Sequence, residues 1–124
     1  MRTGAQHAGD AAEAAAEQYL VGRGWRMLAR HLRVGRDELD IVAVDPGPPS
    51  ELVIVEVRWR GRRDFGLPEE TVDHRKRARL HRAGFSLRDA GRLPDASFLP
   101  SLPLRFDLIV VEPSDLLRHY RHGA

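Results

Sequence analysis

Hydrophobic residues recur along the first sixty positions at two spacings, and the change of spacing predicts where a helix gives way to strands. Over residues 10–22 the apolar positions return every three or four residues, which is typical of a helix with one buried side that ends at Gly22. A short strand is predicted over 25–29. Apolar runs bounded by turn residues then predict an antiparallel hairpin of strands 38–44 and 52–59.

The second half of the chain contains a further helix and strand. A helix is predicted from Thr71 to Ala90, and residues 104–111, rich in branched apolar side chains, predict a strand. Pro113 then opens a short C-terminal helix over 113–120. The order α-β-β-β-α-β before this last helix predicts an α/β fold in which a mixed sheet is flanked by helices.

The size and composition of the chain predict one domain over residues 1–124. The sequence is 42% hydrophobic and 31% charged, which is enough apolar material for a single core. The absence of cysteine excludes disulfide scaffolds, thiolate metal sites and cysteine nucleophiles. Because no apolar run is long enough for a membrane span or a signal peptide, we expect a cytoplasmic protein that does not contact a membrane.

Positive charge is concentrated in one segment of the chain. Residues 58–82 carry nine basic and four acidic side chains, a net charge of +5, whereas the rest of the chain carries −3. This asymmetry predicts an anionic partner, most often nucleic acid. The alternative interpretation is an arginine-rich composition bias with a solvated helix face.

Three acidic residues interrupt the apolar strands, namely Asp40, Glu56 and Asp107. A carboxylate out of water needs a cation or several hydrogen-bond donors. If the hairpin pairs Val44 with Leu52, Asp40 lies directly across from Glu56, and carboxylates this close repel each other unless a divalent cation lies between them. The pattern therefore predicts a metal site. The six histidines show no ligand spacing, and most of them are predicted to lie on the surface.

Lys76, the only lysine of the chain, falls on the apolar side of the second predicted helix. It stands four residues from both Val72 and Leu80, so it shares the side of the helix that faces the sheet. Its ammonium group either extends to solvent or approaches the acidic pair. The alternative to a metal site is that Asp40 and Glu56 form a buried ion pair with Arg58 or another arginine.

Short motifs run in order through most of the chain. They are Gly9, Ala12-Glu13, Ala16, Tyr19-Leu20 and Gly24; Asp37-Glu38-Leu39-Asp40-Ile41-Val42; Val55-Glu56-Val57-Arg58-Trp59-Arg60; Phe65-Gly66-Leu67-Pro68-Glu69 with Lys76; and Arg105-Phe106-Asp107. Together they resemble the YraN family of uncharacterised bacterial proteins over residues 9–111. The resemblance implies a restriction-endonuclease-like fold, close to that of archaeal Holliday-junction resolvases, with its core over the same residues.

The resemblance also implies a nuclease-type site. Asp40 and Glu56 would be its metal-binding acids, and Glu13 would bind Mg²⁺ or Mn²⁺ directly or through water. In nucleases of this fold the ion positions and activates water and neutralises charge on the phosphate. The lysine of the family's Glu-Val-Lys motif is Arg58 here, which supplies charge but is no equivalent replacement, because arginine stays protonated and has a wider, planar head. We therefore expect Lys76 to join Asp40, Glu56 and Arg58 as catalytic residues.

The expected function is that of a nucleic-acid-binding protein and structure-selective endonuclease, acting on DNA rather than RNA. Two alternatives stay open: a non-catalytic nucleic-acid-binding module that kept the fold, and a protein-interaction domain whose arginines meet an acidic partner. Resolvase relatives act as dimers on two-fold junctions, which makes a homodimer an expectation too. Phosphate contacts are predicted from six arginines, namely Arg60, Arg62, Arg63, Arg75, Arg79 and Arg82.

Overall fold

The computed structural model describes residues 4–61 and 74–124, and its elements follow the predicted order with one strand added at the end. Helix α1 spans Gly4–Gly22 and helix α2 spans His74–Ala90; the strands are β1 Arg26–Val34, β2 Asp37–Asp45, β3 Glu51–Trp59, β4 Leu104–Glu112 and β5 Leu116–Tyr120, with a turn of 3₁₀ helix at Pro113–Asp115. The predicted α/β fold is confirmed. Residues 71–73 of the second predicted helix lie outside the described residues.

All five strands belong to one sheet and lie side by side in chain order. β1, β2 and β3 are antiparallel neighbours, β3 and β4 run parallel, and β5 returns antiparallel to β4. In the β2–β3 hairpin Val44 pairs with Leu52, which is the register that places Asp40 across from Glu56. This mixed sheet places the middle of β2 beside the middle of β3, where both predicted metal-binding acids are found.

Each face of the sheet carries its own apolar core. Ala12 and Ala16 of α1 pack with Val53 on one face, and Leu80 and Ala83 of α2 pack with Ile54 on the other. Since successive strand residues point to opposite faces, β3 is buried on both sides and the two helices enclose the sheet. In the described part of the chain, neither helix has the length and apolar character that a membrane crossing requires.

β1 is longer than the strand predicted over 25–29, because it continues to Val34. The prediction stopped early since arginine and histidine dominate residues 30–34, and such residues are common on an edge strand with one side in water. Gly35, with φ of 61°, then turns the chain directly into β2. The longer strand matters because it carries His31 up to the predicted metal-binding acids.

The C-terminal helix predicted over 113–120 is wrong, since the chain forms β5 there. Ser114 has φ of 67°, which is incompatible with a continuous helix. The following residues alternate between the two sides of the sheet: Leu117 packs with the core beneath α1, whereas Tyr120 packs with the core beneath α2. This period of two, together with backbone pairing along the outer edge of β4, makes a strand more favourable than an isolated short helix.

Candidate functional site

Asp40 and Glu56 meet where the ladder between β2 and β3 stops. The ladder runs as far as Ile41 opposite Val55, and the next position brings Asp40 to Glu56. There the carboxylate of Asp40, rather than a backbone carbonyl, accepts a hydrogen bond from the N–H of Val57, with Oδ2 at 2.9 Å from the nitrogen. The two acids therefore occupy one place in the sheet, and the backbone of β3 fixes the position of Asp40.

His31 lies on the other side of Asp40 and interrupts β1. Its φ is 50°, in the left-handed region that non-glycine residues seldom adopt, and the β1–β2 ladder has no pair between His31 and Asp40. Leu39 packs with the core beneath α2 but Ile41 with the core beneath α1, although residues two apart in a regular strand share a face. Such irregularities redirect side chains, and here they allow His31 and Asp40 to contact α1 and β3.

The environment of Asp40 makes it a weak acid. Burial raises its pKa, and the negative charges of Glu56 and Glu13 raise it further, whereas the hydrogen bond from Val57 acts in the opposite direction. The pKa reaches about 7, and the side chain shares a hydrogen bond with Glu56. Near neutral pH the ionised and protonated forms of this carboxyl group are therefore both populated, because burial and the neighbouring carboxylates disfavour its negative charge, and a bound cation would displace the proton.

Glu56 is buried and faces two cationic side chains. The ammonium Nζ of Lys76 lies 2.7 Å from Glu56 Oε1, and Arg58 Nε lies 3.7 Å from the same oxygen. Lys76 thus reaches the acids from α2. Of the two orientations that the helical spacing allows, into solvent or toward the acidic pair, the side chain adopts the second. The closer ionic partner of Glu56 is Lys76 rather than Arg58.

Glu13 of α1 connects the acids to a group of side chains that the sequence did not reveal. Its Oε2 lies against Nε2 of His31, and Asp10, Glu13 and His31 present ligand atoms that all lie within 4.8 Å of one another. Burial raises the pKa of Glu13, and the positive charges of His31 and Arg30 only partly offset this effect. His31 is exposed, as predicted, but its imidazole belongs to the site. The assignment of His31 to this group depends on the register of β1 against β2, which brings His31 beside Asp40.

A cleft lined by arginines opens beside Glu56, and a second one adjoins it. One, of about 190 Å³, has Glu56, Lys76, Arg36 and Arg79 among its walls. The other, of about 270 Å³, shares Arg36 and includes Arg82. Arg79 and Arg82 are two of the predicted phosphate contacts. Arg36 was not predicted, because its position in the β1–β2 turn becomes meaningful only once that turn is seen to lie against α2.

The other predicted phosphate contacts are placed differently. Arg75 is exposed on α2, four residues before Arg79. Arg60 follows β3, and its backbone N–H donates to the carbonyl oxygen of Val111 at 2.9 Å. Arg62 and Arg63 lie outside the described residues, as does the Phe65–Glu69 motif.

Asp107, the third acid within a strand, belongs to a separate ion-pair network. The guanidinium of Arg105 donates to both of its oxygens at 2.9 Å, and His119 Nε2 lies 2.8 Å from Oδ2. Burial would raise the pKa of Asp107, but hydrogen bonds from His119 and Arg105 hold it at about 2. Arg105 also lies 2.9 Å from Asp45 and 2.8 Å from Glu51. This network ties β4 to the ends of the hairpin and does not touch the acids of the site.

Comparisons with known proteins agree with the motif pattern. The model of "Uncharacterised protein family UPF0102" matches residues 12–111, which include Glu13, Asp40, Glu56 and Lys76. A UPF0102 protein of Symbiobacterium thermophilum is 40% identical over 106 residues, 85% of this chain and 81% of the relative. One of Moorella thermoacetica is 40% identical over 104 residues, 83% and 78% of the two chains.

A third relative and a solved structure complete the comparison. A UPF0102 protein of Carboxydothermus hydrogenoformans is 36% identical over 113 residues, 89% of this chain and 88% of the relative. The solved structure of Pyrococcus furiosus SfsA in complex with Ca²⁺ is similar at a TM-score of 0.30 and 18% identity. That match covers 94% of this chain, which spans 63% of the SfsA chain.

Proposed function

The chain belongs to the uncharacterised protein family UPF0102, and on that premise we propose that it is a divalent-metal-dependent nuclease that hydrolyses phosphodiester bonds, with DNA as its substrate. The observation that carries the proposal is the meeting of Asp40 and Glu56 at one place in the sheet, where the Glu13 charge also acts. Lys76 approaches this pair to 2.7 Å. All four residues lie within the region that the family model matches.

The donor set of the site fits a hard divalent cation. Carboxylate oxygens are the ligands that Mg²⁺ and Mn²⁺ prefer, and Asp40, Glu56 and Glu13 would hold the ion. The pKa of Asp40, raised to about 7 by burial and by the neighbouring carboxylates, indicates negative charge that a cation would neutralise. When bound in nucleases, such an ion activates water and stabilises charge on the phosphate.

The basic residues around the acids suit a phosphodiester substrate. Arg36 and Arg79 line the cleft beside Glu56, where they would bind phosphate oxygens and orient the nucleic acid. Lys76, held by Glu56, would donate a hydrogen bond to a phosphate oxygen or to the attacking water. Arg58 would supply a fixed positive charge from β3. In this arrangement α2 carries out part of the role that the family's usual strand lysine has.

One observation favours a second candidate, a nucleic-acid-binding module that does not cleave. Lys76 already neutralises Glu56 through the 2.7 Å ion pair, which weakens the demand for a metal ion at that carboxylate. With arginine at position 58 in place of lysine, the clefts would then bind phosphates without hydrolysis. Both candidates predict binding, and only the first predicts metal-dependent strand cleavage.

Cleavage of a panel of labelled substrates tests the proposal. Duplex DNA, a flap, a four-way junction and single-stranded RNA would be incubated with the protein in Mg²⁺, in Mn²⁺ and in EDTA. We expect metal-dependent cuts in DNA by the wild type, no cuts by Asp40→Asn, and wild-type cuts by Asp89→Asn, which makes the same change at an exposed acid on α2. Tight binding without cuts in any substrate would establish the second candidate instead, and the absence of binding would exclude both.

A further inference from the structure

Three side chains beside Asp40 form a group of different chemistry from the Asp40–Glu56 pair. Asp10 and Glu13, three residues apart on α1, converge with His31 of β1, and their ligand atoms lie within 4.8 Å of one another. Residues three apart on a helix share one side, which explains why both carboxylates face β1. The group combines two carboxylates with an imidazole, whereas Asp40 and Glu56 offer oxygen alone.

The ring of His31 is oriented by its second nitrogen. Nδ1 lies 3.1 Å from Oε1 of Glu38, while Nε2 lies against Oε2 of Glu13. If the Nδ1–H group donates to Glu38, the neutral ring presents the lone pair of Nε2 to Glu13. Metal-binding histidines in proteins are held in this way, with a carboxylate on the other ring nitrogen.

Glu13 supplies the second indication of a ligand. The residue is 9% exposed, and within the described residues its buried Oε2 has no assigned hydrogen bond and faces the Nε2 atom of His31. Arg30 does not neutralise it closely, because its guanidinium lies 3.8 Å from Glu13 but 3.3 Å from Glu17. A carboxylate oxygen and an imidazole nitrogen that face each other are both acceptors, and such a pair requires a proton or a metal ion between them.

We propose that Asp10, Glu13 and His31 form a second metal subsite that takes a divalent transition-metal ion in preference to Mg²⁺. Imidazole is a good ligand for ions such as Zn²⁺ and Co²⁺, whereas Mg²⁺ prefers oxygen ligands and retains its water. Glu13 belongs to both groups and thereby links the subsite to Asp40. The use of the subsite in catalysis rests on the proposed function; its ability to bind a metal ion does not.

Calorimetric titration of the whole chain with Zn²⁺ and with Mg²⁺, without nucleic acid, tests the subsite. We expect His31→Asn to weaken Zn²⁺ binding by at least about 10-fold and to leave Mg²⁺ binding unchanged. Glu38→Gln, which alters only the residue that orients the ring, should weaken Zn²⁺ binding by about 10- to 100-fold. The control is His74→Asn, the same substitution at an exposed histidine of α2, and it should bind Zn²⁺ as the wild type does.

Ring-nitrogen NMR of the wild-type protein provides a measurement that needs no variant. Addition of one equivalent of Zn²⁺ should shift the Nε2 signal of His31 before the signals of the other five histidines. Equal Zn²⁺ affinity in wild type and His31→Asn, or an unchanged His31 signal, would overturn the subsite. Either result would leave Mg²⁺-dependent cleavage by Asp40 and Glu56 untouched, so the failure of the subsite and the failure of the nuclease proposal can be told apart.

Discussion

At the scale of single residues, the principal finding is where the lysine lies. The resemblance to the YraN family implies a lysine at the strand position that Arg58 occupies, but Lys76 of α2 approaches Glu56 more closely than Arg58 does, at 2.7 Å against 3.7 Å. A lysine ammonium is compact and mobile, and it serves in proton transfer and at phosphates in ways that the fixed guanidinium does not. The nearest positive charge to Glu56 therefore comes from α2 and not from the strand that carries Glu56.

Replacing Lys76 measures this contribution. We expect Lys76→Met to reduce metal-dependent cleavage by about 100-fold or more, since it removes a positioned donor, and to leave nucleic-acid affinity nearly unchanged. Arg58→Lys should raise the cleavage rate. Single-turnover rates and binding constants on the same DNA would separate the two effects, and Arg88→Met, at an exposed position of α2 outside both clefts, is the control. Unchanged cleavage in Lys76→Met would assign catalysis to Arg58 or to the metal ion alone.

The ion pairs of Asp107 predict how the stability of the folded protein changes at acidic pH. Its pKa of about 2 in the folded protein lies below the usual 3.8, so the ionised form stabilises the fold. That stabilisation, roughly 2 kcal/mol, is present above pH 4 and is lost as the pH falls from about 4 to 2. Urea unfolding between pH 6 and pH 2.5 would show this loss in the wild type. Asp107→Asn should show less of it, and an equally steep loss in the variant would contradict the assignment.

At the scale of elements, the sequence predicted the hairpin and failed at both edges of the sheet. The register of β2 against β3 was predictable because buried strands show their pairing through apolar runs and a short loop. β1 and β5 are edge strands, in which residues such as Arg33 and Arg118 obscure the period of two. The same reason explains which residues of the candidate site could be predicted. Asp40 and Glu56 could be paired from the hairpin pattern, whereas the places of His31 and Arg36 depend on the position of the edge strand β1.

The contact of α2 with the sheet depends on Gly84. A Cβ atom at this position would lie 2.6 Å from Cε1 of Phe106 and 3.3 Å from Cγ1 of Ile54. Crowding of this kind costs about 1–3 kcal/mol, more than the gain of about 1 kcal/mol that alanine brings to a helix. Gly84→Ala should therefore lower the free energy of unfolding, measured in urea.

Gly9 of α1 offers the matched control for this substitution. A Cβ atom there would have no neighbour within 4 Å, so Gly9→Ala should be neutral or stabilising by up to about 1 kcal/mol. If Gly84→Ala proved as stable as Gly9→Ala, the close packing of α2 on Phe106 would be incorrect.

At the scale of the whole molecule, basic and acidic residues of distant segments are brought to one side of the sheet. Arg36 from the β1–β2 turn and Arg79 and Arg82 from α2 line adjoining clefts, and the first of these clefts includes Glu56. The concentration of positive charge in the sequence indicated an anionic partner. The structure adds that part of this charge lies next to the candidate metal-binding acids, which a phosphodiester substrate would require.

Salt dependence of DNA binding tests this surface. Each of Arg36→Ala, Arg79→Ala and Arg82→Ala should weaken binding to all sequences alike and reduce the slope of log affinity against log salt by roughly one unit. Arg88→Ala is the control on the same helix, because Arg88 lies over the ring of Phe85 and outside both clefts. Slopes equal to that of the wild type for all three variants would place the phosphate contacts elsewhere.

The central claim is that Asp40 and Glu56 together hold a divalent ion, and thermal unfolding in increasing Mg²⁺ at constant ionic strength tests it most directly. A ligand that binds only the folded state stabilises it by about 2.7 kcal/mol at a concentration 100 times its Kd, so Tm should rise with Mg²⁺ in the wild type and in Asp89→Asn. The double variant Asp40→Asn, Glu56→Gln should fold and show no such rise. An equal rise in the double variant, or no rise in the wild type, would contradict the claim.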